Sequence, residues 1–346
     1  MPQVTTHELA VSVLDLVAMR VGESASTAMA RSVDLAQHVE RLGFRRYLLA
    51  EHHSVQGLAC SATPVLIGHL AGATKTIRVG SGGVMLPNHA PLVVAEEFGT
   101  LQALYPGRID LGLGRAPGGD FNTMRALRRH LVQSENDFPA LLEELRAYLA
   151  PEKPGQAVRA IPGQDSNVPI MLLGSSGFSA QLAGSLGLPF AFASHFAPES
   201  LYAAAELYRE HFRPTQALRK PYLMVAAQVI AAETDATAQW LFTTPQQRFL
   251  RLIRNQPVEL LPPVDSMDLL WQDWEREAVE NKLREATVGS DATVKAGLES
   301  LVGDTGADEV IVVTDTYEHA DRLQSYERVA HIATTISVNS WVAVGT

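Results

Sequence analysis

Residues 46–53 read Arg46-Tyr47-Leu48-Leu49-Ala50-Glu51-His52-His53. A short β-rich run that stops abruptly at polar side chains predicts a strand running into a functional loop, and the same device recurs along the chain. Thr76–Gly80 runs into Ser81-Gly82-Gly83-Val84-Met85-Leu86-Pro87, Ile109–Leu113 into Gly114-Arg115-Ala116-Pro117-Gly118-Gly119, and Pro169–Leu173 into Gly174-Ser175-Ser176-Gly177-Phe178-Ser179. With Leu9–Leu14, Pro189–Ala193, Tyr222–Ala231 and Glu309–Val313, the predicted strands number eight. Between them apolar positions recur every three or four residues, near Ser26–Leu42, Pro64–Ala73, Pro91–Leu104, Phe121–Leu149, Ser176–Leu186 and Pro198–His211, with Leu323–Ile332 closing the chain. Eight strands alternating with helices predict an α/β chain folded as one (β/α)₈ TIM barrel over residues 1–346, with its chemistry where strands lead into loops.

The rival is a doubly wound open sheet. No G-x-G-x-x-G follows the first strand, and Gly112, Gly114 and Gly118 are spaced G-x-G-x-x-x-G, which is a weak nucleotide signal. The region from Thr234 to Leu301 is too long for one helix. Its first part, residues 234–290, carries Pro257, Pro262, Pro263, Trp240, Trp271 and Trp274 and reads as an insertion after the seventh strand, lying over the barrel mouth. Its aromatic rings would either line an apolar substrate channel or form a satellite core.

Composition narrows the function. The chain has 346 residues and a formal net charge of −10, with no basic run longer than Arg45-Arg46 or Arg128-Arg129, which argues against nucleic acid or a polybasic membrane anchor. Cys60 is the single cysteine, excluding an intrachain disulfide and a cysteine zinc site. No basic-then-apolar leader and no long apolar span are visible, so a cytoplasmic protein is expected.

The loop residues suggest chemistry singly before they do so together. Adjacent His52 and His53 on an extended chain point to opposite faces, so one ion would not easily collect both, and no metal is expected. Leu48, Ala50 and His52 share a face, and His52, with an ordinary pKa near neutrality, would give or take a proton. The plainer alternative has both histidines hydrogen-bonding Glu51 and nearby backbone. Gly80, Gly82 and Gly83 would let bare backbone approach a planar ligand, or simply form a turn. Arg115 would meet a phosphate or ring carbonyl, or pair with Asp110 or Asp120 at the rim. Ser175, Ser176 and Ser179 open a predicted helix, where free N–H groups favour a phosphate and a serine is also a natural N-cap.

Taken in order, Ala50-Glu51-His52-His53, residues 74–83, Leu86-Pro87-Asn88-His89-Ala90-Pro91, Tyr105-Pro106-Gly107-Arg108, Gly112-Leu113-Gly114-Arg115 and Gly187-Leu188-Pro189 resemble the bacterial luciferase-like family of flavin-dependent oxidoreductases. The resemblance implies a barrel that binds FMN non-covalently, receives it reduced from a separate flavin reductase, and uses O2 through a hydroperoxide on the flavin C4a carbon. By motif position, His52 matches the histidine at the flavin's reactive edge, and Gly82-Gly83 a small pair joined by a cis peptide behind the isoalloxazine ring. Arg115 matches a phosphate- or flavin-facing arginine, and Ser175, Ser176 and Ser179 the phosphate turn; Ala50, Glu51 and Met85 flank these and are counted as cofactor-binding. Two positions depart from the light-emitting members, which carry cysteine at Gly114 and an acidic residue at Ser175. The expected function is therefore an FMN-dependent monooxygenase of a small organic substrate such as a secondary metabolite. An F420-dependent oxidoreductase and a non-catalytic flavin-binding protein are the alternatives. A homodimer, formed through a helix face in the first third of the barrel, is the family-level expectation.

Overall fold

The structure, a computed structural model, describes residues 3–115, 121–127 and 137–342. Its centre is a closed barrel of eight parallel strands: β1 (Ala10–Asp15), β2 (Arg46–Leu49), β3 (Arg78–Ser81), β4 (Ile109–Gly114), β5 (Ile170–Gly174), β6 (Phe190–Phe192), β7 (Leu223–Ala231) and β8 (Glu309–Val313). Each pairs with the next, and β8 returns to β1 with Glu309 opposite Ala10 and Val312 opposite Val13. These are the eight strands expected from the sequence, with ends that shift by at most two residues. The strands are buried on both faces, by the barrel interior and by the helices outside, so β7 shows nine consecutive buried residues rather than an alternation.

The floor of the barrel is held by charge. Arg46, at the start of β2, reaches Glu309 with Nε at 2.9 Å and Asp110 with Nη1 at 3.0 Å. Arg78 holds the other Asp110 oxygen at 2.7 Å, and Tyr222 donates to Glu309 at 2.6 Å. This network spans the strands on either side of the β8–β1 closure. It also corrects the pairing of Arg115 with Asp110 considered above: Asp110 lies near the start of β4, at the opposite end of the barrel from the loops, and is committed to Arg46 and Arg78. Asp120, like residues 116–119, lies outside the described residues.

Within Phe121–Leu149 the described residues form helix Phe121–Leu127 and helix Phe138–Leu149, the latter with Pro139 in its first turn, where the missing N–H costs nothing, and residues 128–136 lie outside the described residues. The stretch expected as one long region resolves into helix Asp235–Ile253, an extended segment, helix Asp273–Lys282, a strand Thr287–Gly289 parallel to β7, and helix Asp291–Thr305. The extended segment is stitched to the loops after β1 and β2: Val258 N–H donates to Gln56 O, Leu260 N–H to Met19 O, and Val21 N–H to Leu260 O. Gly57, with φ +107°, permits this approach, since a Cβ there would lie 2.4 Å from the Glu259 nitrogen. Among the described residues, no helix is long and apolar enough to cross a membrane.

Candidate active site

At the carboxyl ends of the strands lies a cavity of about 410 Å³, within the usual size of a cofactor or substrate site. Strand alternation builds its wall. Leu48, Ala50 and His52 face it from β2, Ala191, Ala193 and His195 from β6, Ala226 and Gln228 from β7, and Ile311, Val313 and Asp315 from β8. All ten residues singled out in the sequence, namely Ala50, Glu51, His52, Gly82, Gly83, Met85, Arg115, Ser175, Ser176 and Ser179, line this one cavity.

Beyond the end of β3 the wall is bare backbone. The Gly82–Gly83 peptide bond is cis. A Cβ on Gly82 would come within 2.7 Å of Leu14 Cδ1, and one on Gly83 within 2.7 Å of Gly112 O, so close packing keeps both positions free of side chains. Gly114 serves Met85 in the same way, because a Cβ there would meet the Met85 thioether sulfur at 2.9 Å.

The three residues Glu51, His52 and His53 in the loop after β2 do different jobs. Glu51 is buried, and its Oε1 takes hydrogen bonds from His53 Nε2 at 2.7 Å and His89 Nε2 at 2.8 Å, while Oε2 takes the Met85 N–H at 3.2 Å. Those partners outweigh the cost of burial and hold its carboxyl below the usual range. Glu51, His53 and His89 bring three ligand atoms within 4.8 Å of one another, a set able to hold a divalent metal; its hydrogen bonds already satisfy the carboxylate without one. His53 thus takes the plain role of a partner to Glu51. His52 turns the other way, as strand alternation requires, into the cavity.

Burial first, and then the nearby Arg248 guanidinium, push the His52 pKa down to about 4. This corrects the expectation of an imidazole titrating near neutrality: the ring is neutral at physiological pH. Its Nδ1 lies 3.8 Å from the sulfur of Cys60, whose thiol burial pushes up to about 12.

On the β5 side, Ser176 is the N-cap of helix Gly177–Leu186, but its hydroxyl makes no capping bond, so the cap reading of this turn does not account for its serines. Arg115 sits with its guanidinium carbon 4.6 Å from the centre of the Phe178 ring. A helix N-terminus, three serines and an arginine in one corner make a site suited to phosphate.

The far wall is polar as well. Gln228 is 2% exposed, and its Nε2 has no hydrogen-bond partner within the protein. His195 is half-buried, yet its Nδ1 is closed off from solvent and equally unpartnered; burial and the neighbouring His52 push its pKa down to about 3. Arg248, brought in by helix Asp235–Ile253, donates from Nη1 to Asp315 Oδ2 at 2.6 Å.

The sequence model of luciferase-like monooxygenases matches residues 9–330. The chain belongs to the luciferase-like monooxygenase family. It is 55% identical over 322 residues to uncharacterized protein YvbT of Bacillus subtilis (strain 168), covering 93% of this chain and 96% of the relative. It is 50% identical over 323 residues to the luciferase-like monooxygenase of Escherichia coli (strain K12), with 93% and 96% covered. Among solved structures, apo-MsnO8 superposes with a TM-score of 0.83 at 35% identity, over 94% of this chain and 98% of that one. Two more distant structures share the fold. The FMN complex of the oxygenating constituent of 3,6-diketocamphane monooxygenase from Pseudomonas putida, a type II Baeyer-Villiger enzyme, has a TM-score of 0.74 at 20% identity, over 95% of this chain and 99% of that one. An F420-dependent secondary alcohol dehydrogenase in complex with an F420-acetone adduct has a TM-score of 0.69 at 13% identity, over 94% of this chain and 99% of that one.

Of the two readings of the tryptophans, the satellite core is the one that Trp271 takes, and the cavity lining contains no tryptophan among the described residues. Trp240 and Trp274 are 43% and 57% exposed, and Trp271 packs on a satellite cluster around Ile230 and Leu241. The helix-bearing region contributes Arg248, Phe249, Leu252 and Val258 to the cavity instead. Gln228 was detectable in principle, as a polar side chain inside an otherwise apolar nine-residue strand. His195 also carried a signal, since it lies just past a predicted strand end. Arg248 carried none, because its helix phase relative to the barrel is set by tertiary packing.

Proposed function

We propose that the protein is an FMN-dependent monooxygenase that uses reduced flavin and O2 to oxygenate a small organic substrate. The observation that carries this reading is the pairing, in one cavity, of a bare-backbone wall at Gly82–Gly83 with a serine- and arginine-lined corner at Ser175, Ser176, Ser179 and Arg115. A planar ring needs the first and its phosphate tail needs the second. Reduced FMN, when bound, supplies the electrons that activate oxygen. The chain's own residues do the rest: the glycine wall orients the ring, and the serines, Arg115 and the helix N-terminus bind the phosphate. Leu14, Leu48, Phe249 and Val258 exclude water. His52, neutral at physiological pH, carries one ring proton from which it donates a hydrogen bond into the cavity without becoming charged. A flavin reductase as the source of reduced FMN and a homodimeric assembly belong to the same reading.

The serine-rich corner also suits the phosphate of F420, and one titration separates the two cofactors. Anaerobic protein is titrated with reduced FMN and, separately, with reduced F420, then mixed rapidly with oxygenated buffer while flavin absorbance is followed. Tight binding of reduced FMN and reoxidation far slower than that of free FMN are expected. Binding of F420 alone points to oxygen-independent hydride transfer, and FMN that binds but reoxidises as it does free in solution points to a flavin carrier.

A further inference from the structure

Strand alternation sends His52 into the cavity and His53 away from it, so the two adjacent histidines do not share an ion. The partner that His53 does find comes from further along the chain. Glu51 and His53 lie in the loop after β2, and His89 follows the turn Leu86–Asn88, beyond β3. His53 Nε2 stands 2.7 Å and His89 Nε2 2.8 Å from the same atom, Glu51 Oε1, and all three ligand atoms lie within 4.8 Å of one another. Two imidazoles from separate loops thus converge on one carboxylate oxygen.

Ligand type narrows the ion. Two nitrogens and one oxygen suit Zn2+, Co2+ or Ni2+, whereas Mg2+ and Ca2+ take oxygen ligands. A tetrahedral zinc-class ion holds such atoms about 3.3–3.5 Å apart, so an outward shift of each ring by about 0.6 Å opens the centre of the cluster. The His53 and His89 side chains are 14% and 27% exposed, which gives the rings room to shift and the ion a path from solvent that does not cross the cavity. Each ring binds as a neutral imidazole through Nε2, its proton moving to Nδ1, and water completes the fourth position. The charge balance has the right sign. Among the described residues the ion pairs of Glu51 are with these two histidines, and Glu97 on helix Pro91–Leu104 adds a second carboxyl in electrostatic reach of both His89 and Glu51. Where two N–H dipoles now face Glu51, a divalent ion would present full positive charge to both carboxyls.

We propose that Glu51 Oε1, His53 Nε2 and His89 Nε2 form a binding site for one divalent transition-metal ion of the Zn2+ class, which clamps the loop after β2 to the segment after β3. The clamp bears on the cavity wall, because Glu51 Oε2 accepts the Met85 N–H and both residues line the cavity. The site is independent of the flavin reading, since its three ligands are complete without a cofactor.

Untagged, flavin-free protein is stripped with EDTA, freed of the chelator and titrated with Co2+ while the visible ligand-field bands are followed; its Tm is then measured with Zn2+ and with Mg2+. One Co2+ per chain is expected, with the bands of a four- or five-coordinate nitrogen–oxygen site, and a rise in Tm with Zn2+ that Mg2+ does not reproduce. His53→Gln and His89→Gln should each weaken Co2+ binding at least ~tenfold, the least that even an outer-shell change costs a metal site. His331→Gln, at an exposed histidine on helix His319–Thr334, should leave it unchanged. The absence of stoichiometric Co2+ binding, equal affinity in the wild type and His89→Gln, or a Tm gain with Mg2+ as large as with Zn2+ overturns the site. Anomalous scattering at the zinc edge from wild-type crystals soaked in Zn2+ decides the matter without any variant: a peak among Glu51, His53 and His89 supports the site, and zinc found only elsewhere overturns it.

Discussion

Two neighbouring histidines with the same reference pKa end in opposite circumstances because one residue step reverses the face. His53 meets the Glu51 carboxylate, whereas His52 enters the cavity beside Arg248 and a thiol. The alternation of Leu48, Ala50 and His52 was legible in the sequence, since period two requires no partner beyond the strand itself. The charge state of His52 was not, because it follows first from burial inside the closed barrel and then from Arg248, which arrives on a helix far along the chain. His52→Ala should slow product formation about 10²–10⁴-fold, the span of a positioned proton donor, with FMN affinity nearly unchanged. Stopped-flow turnover alongside a flavin titration measures both, and unaltered turnover would remove His52 from the chemistry. The pH profile provides an independent check. With a pKa of about 4, His52 keeps one protonation state from pH 8 down to pH 5, so the activity profile should lack an inflection near 6.5 arising from this ring.

At the scale of elements, the eight strands were readable because each is a short apolar run closed by polar or glycine-rich residues, a local signal. What holds the first strand to the last was not readable, since Arg46, Asp110 and Glu309 are distant in sequence and meet only once the sheet has curled shut. Arg46 is the shared cation; burial disfavours its charge, but Glu309 and Asp110 outweigh that cost and raise its pKa further above an already high value. Arg46→Met would leave Glu309 and Asp110, 0% and 1% exposed, short of their bridging charge. Truncating one partner of a buried ion pair costs about 3–5 kcal/mol, and Arg78 on Asp110 recovers part of that. Urea unfolding should show a loss of about 2–4 kcal/mol, with FMN affinity of the folded fraction unchanged because the network lies at the opposite end of the barrel from the cavity. A loss below about 0.5 kcal/mol would mean that the network is ornamental. The same logic explains why the region after β7 resisted the sequence. Proline and tryptophan content announced an irregular segment, but which helix face met the cavity depended on how Val258 and Leu260 were tied to the loops after β1 and β2.

The whole molecule integrates these local choices into its response to acid and to its own kind. His52 and His195 have pKa values pushed down to about 4 and about 3, so the unfolded chain takes up protons near pH 6.5 that the native protein refuses. Stability therefore falls as pH drops through 6.5, by about 2 kcal/mol per histidine at pH 5, and Asp15 and Glu51, whose pKa values are also lowered, add a second loss as the pH falls through the carboxylate range. Urea midpoints at pH 7 and pH 5 check this, and His52→Gln should flatten the slope between them; equal midpoints in the wild type would contradict it.

Association depends on the outer surface instead. Helices Thr63–Ala73 and Pro91–Leu104 pack side by side, and Val65, Val93 and Leu104 on them remain 72%, 46% and 63% exposed. A lone exposed valine means little, but exposed apolar side chains on two adjoining helices are the kind of surface that a two-fold partner would cover with its own copy. If the expected homodimer forms there, Val65→Asp places two like charges near the axis and should convert the dimer to a monomer by light scattering at micromolar concentration. FMN affinity should survive, since every residue assigned to the cofactor lies within one barrel. A wild-type monomer, or a dimer untouched by Val65→Asp, would move the interface elsewhere or abolish it.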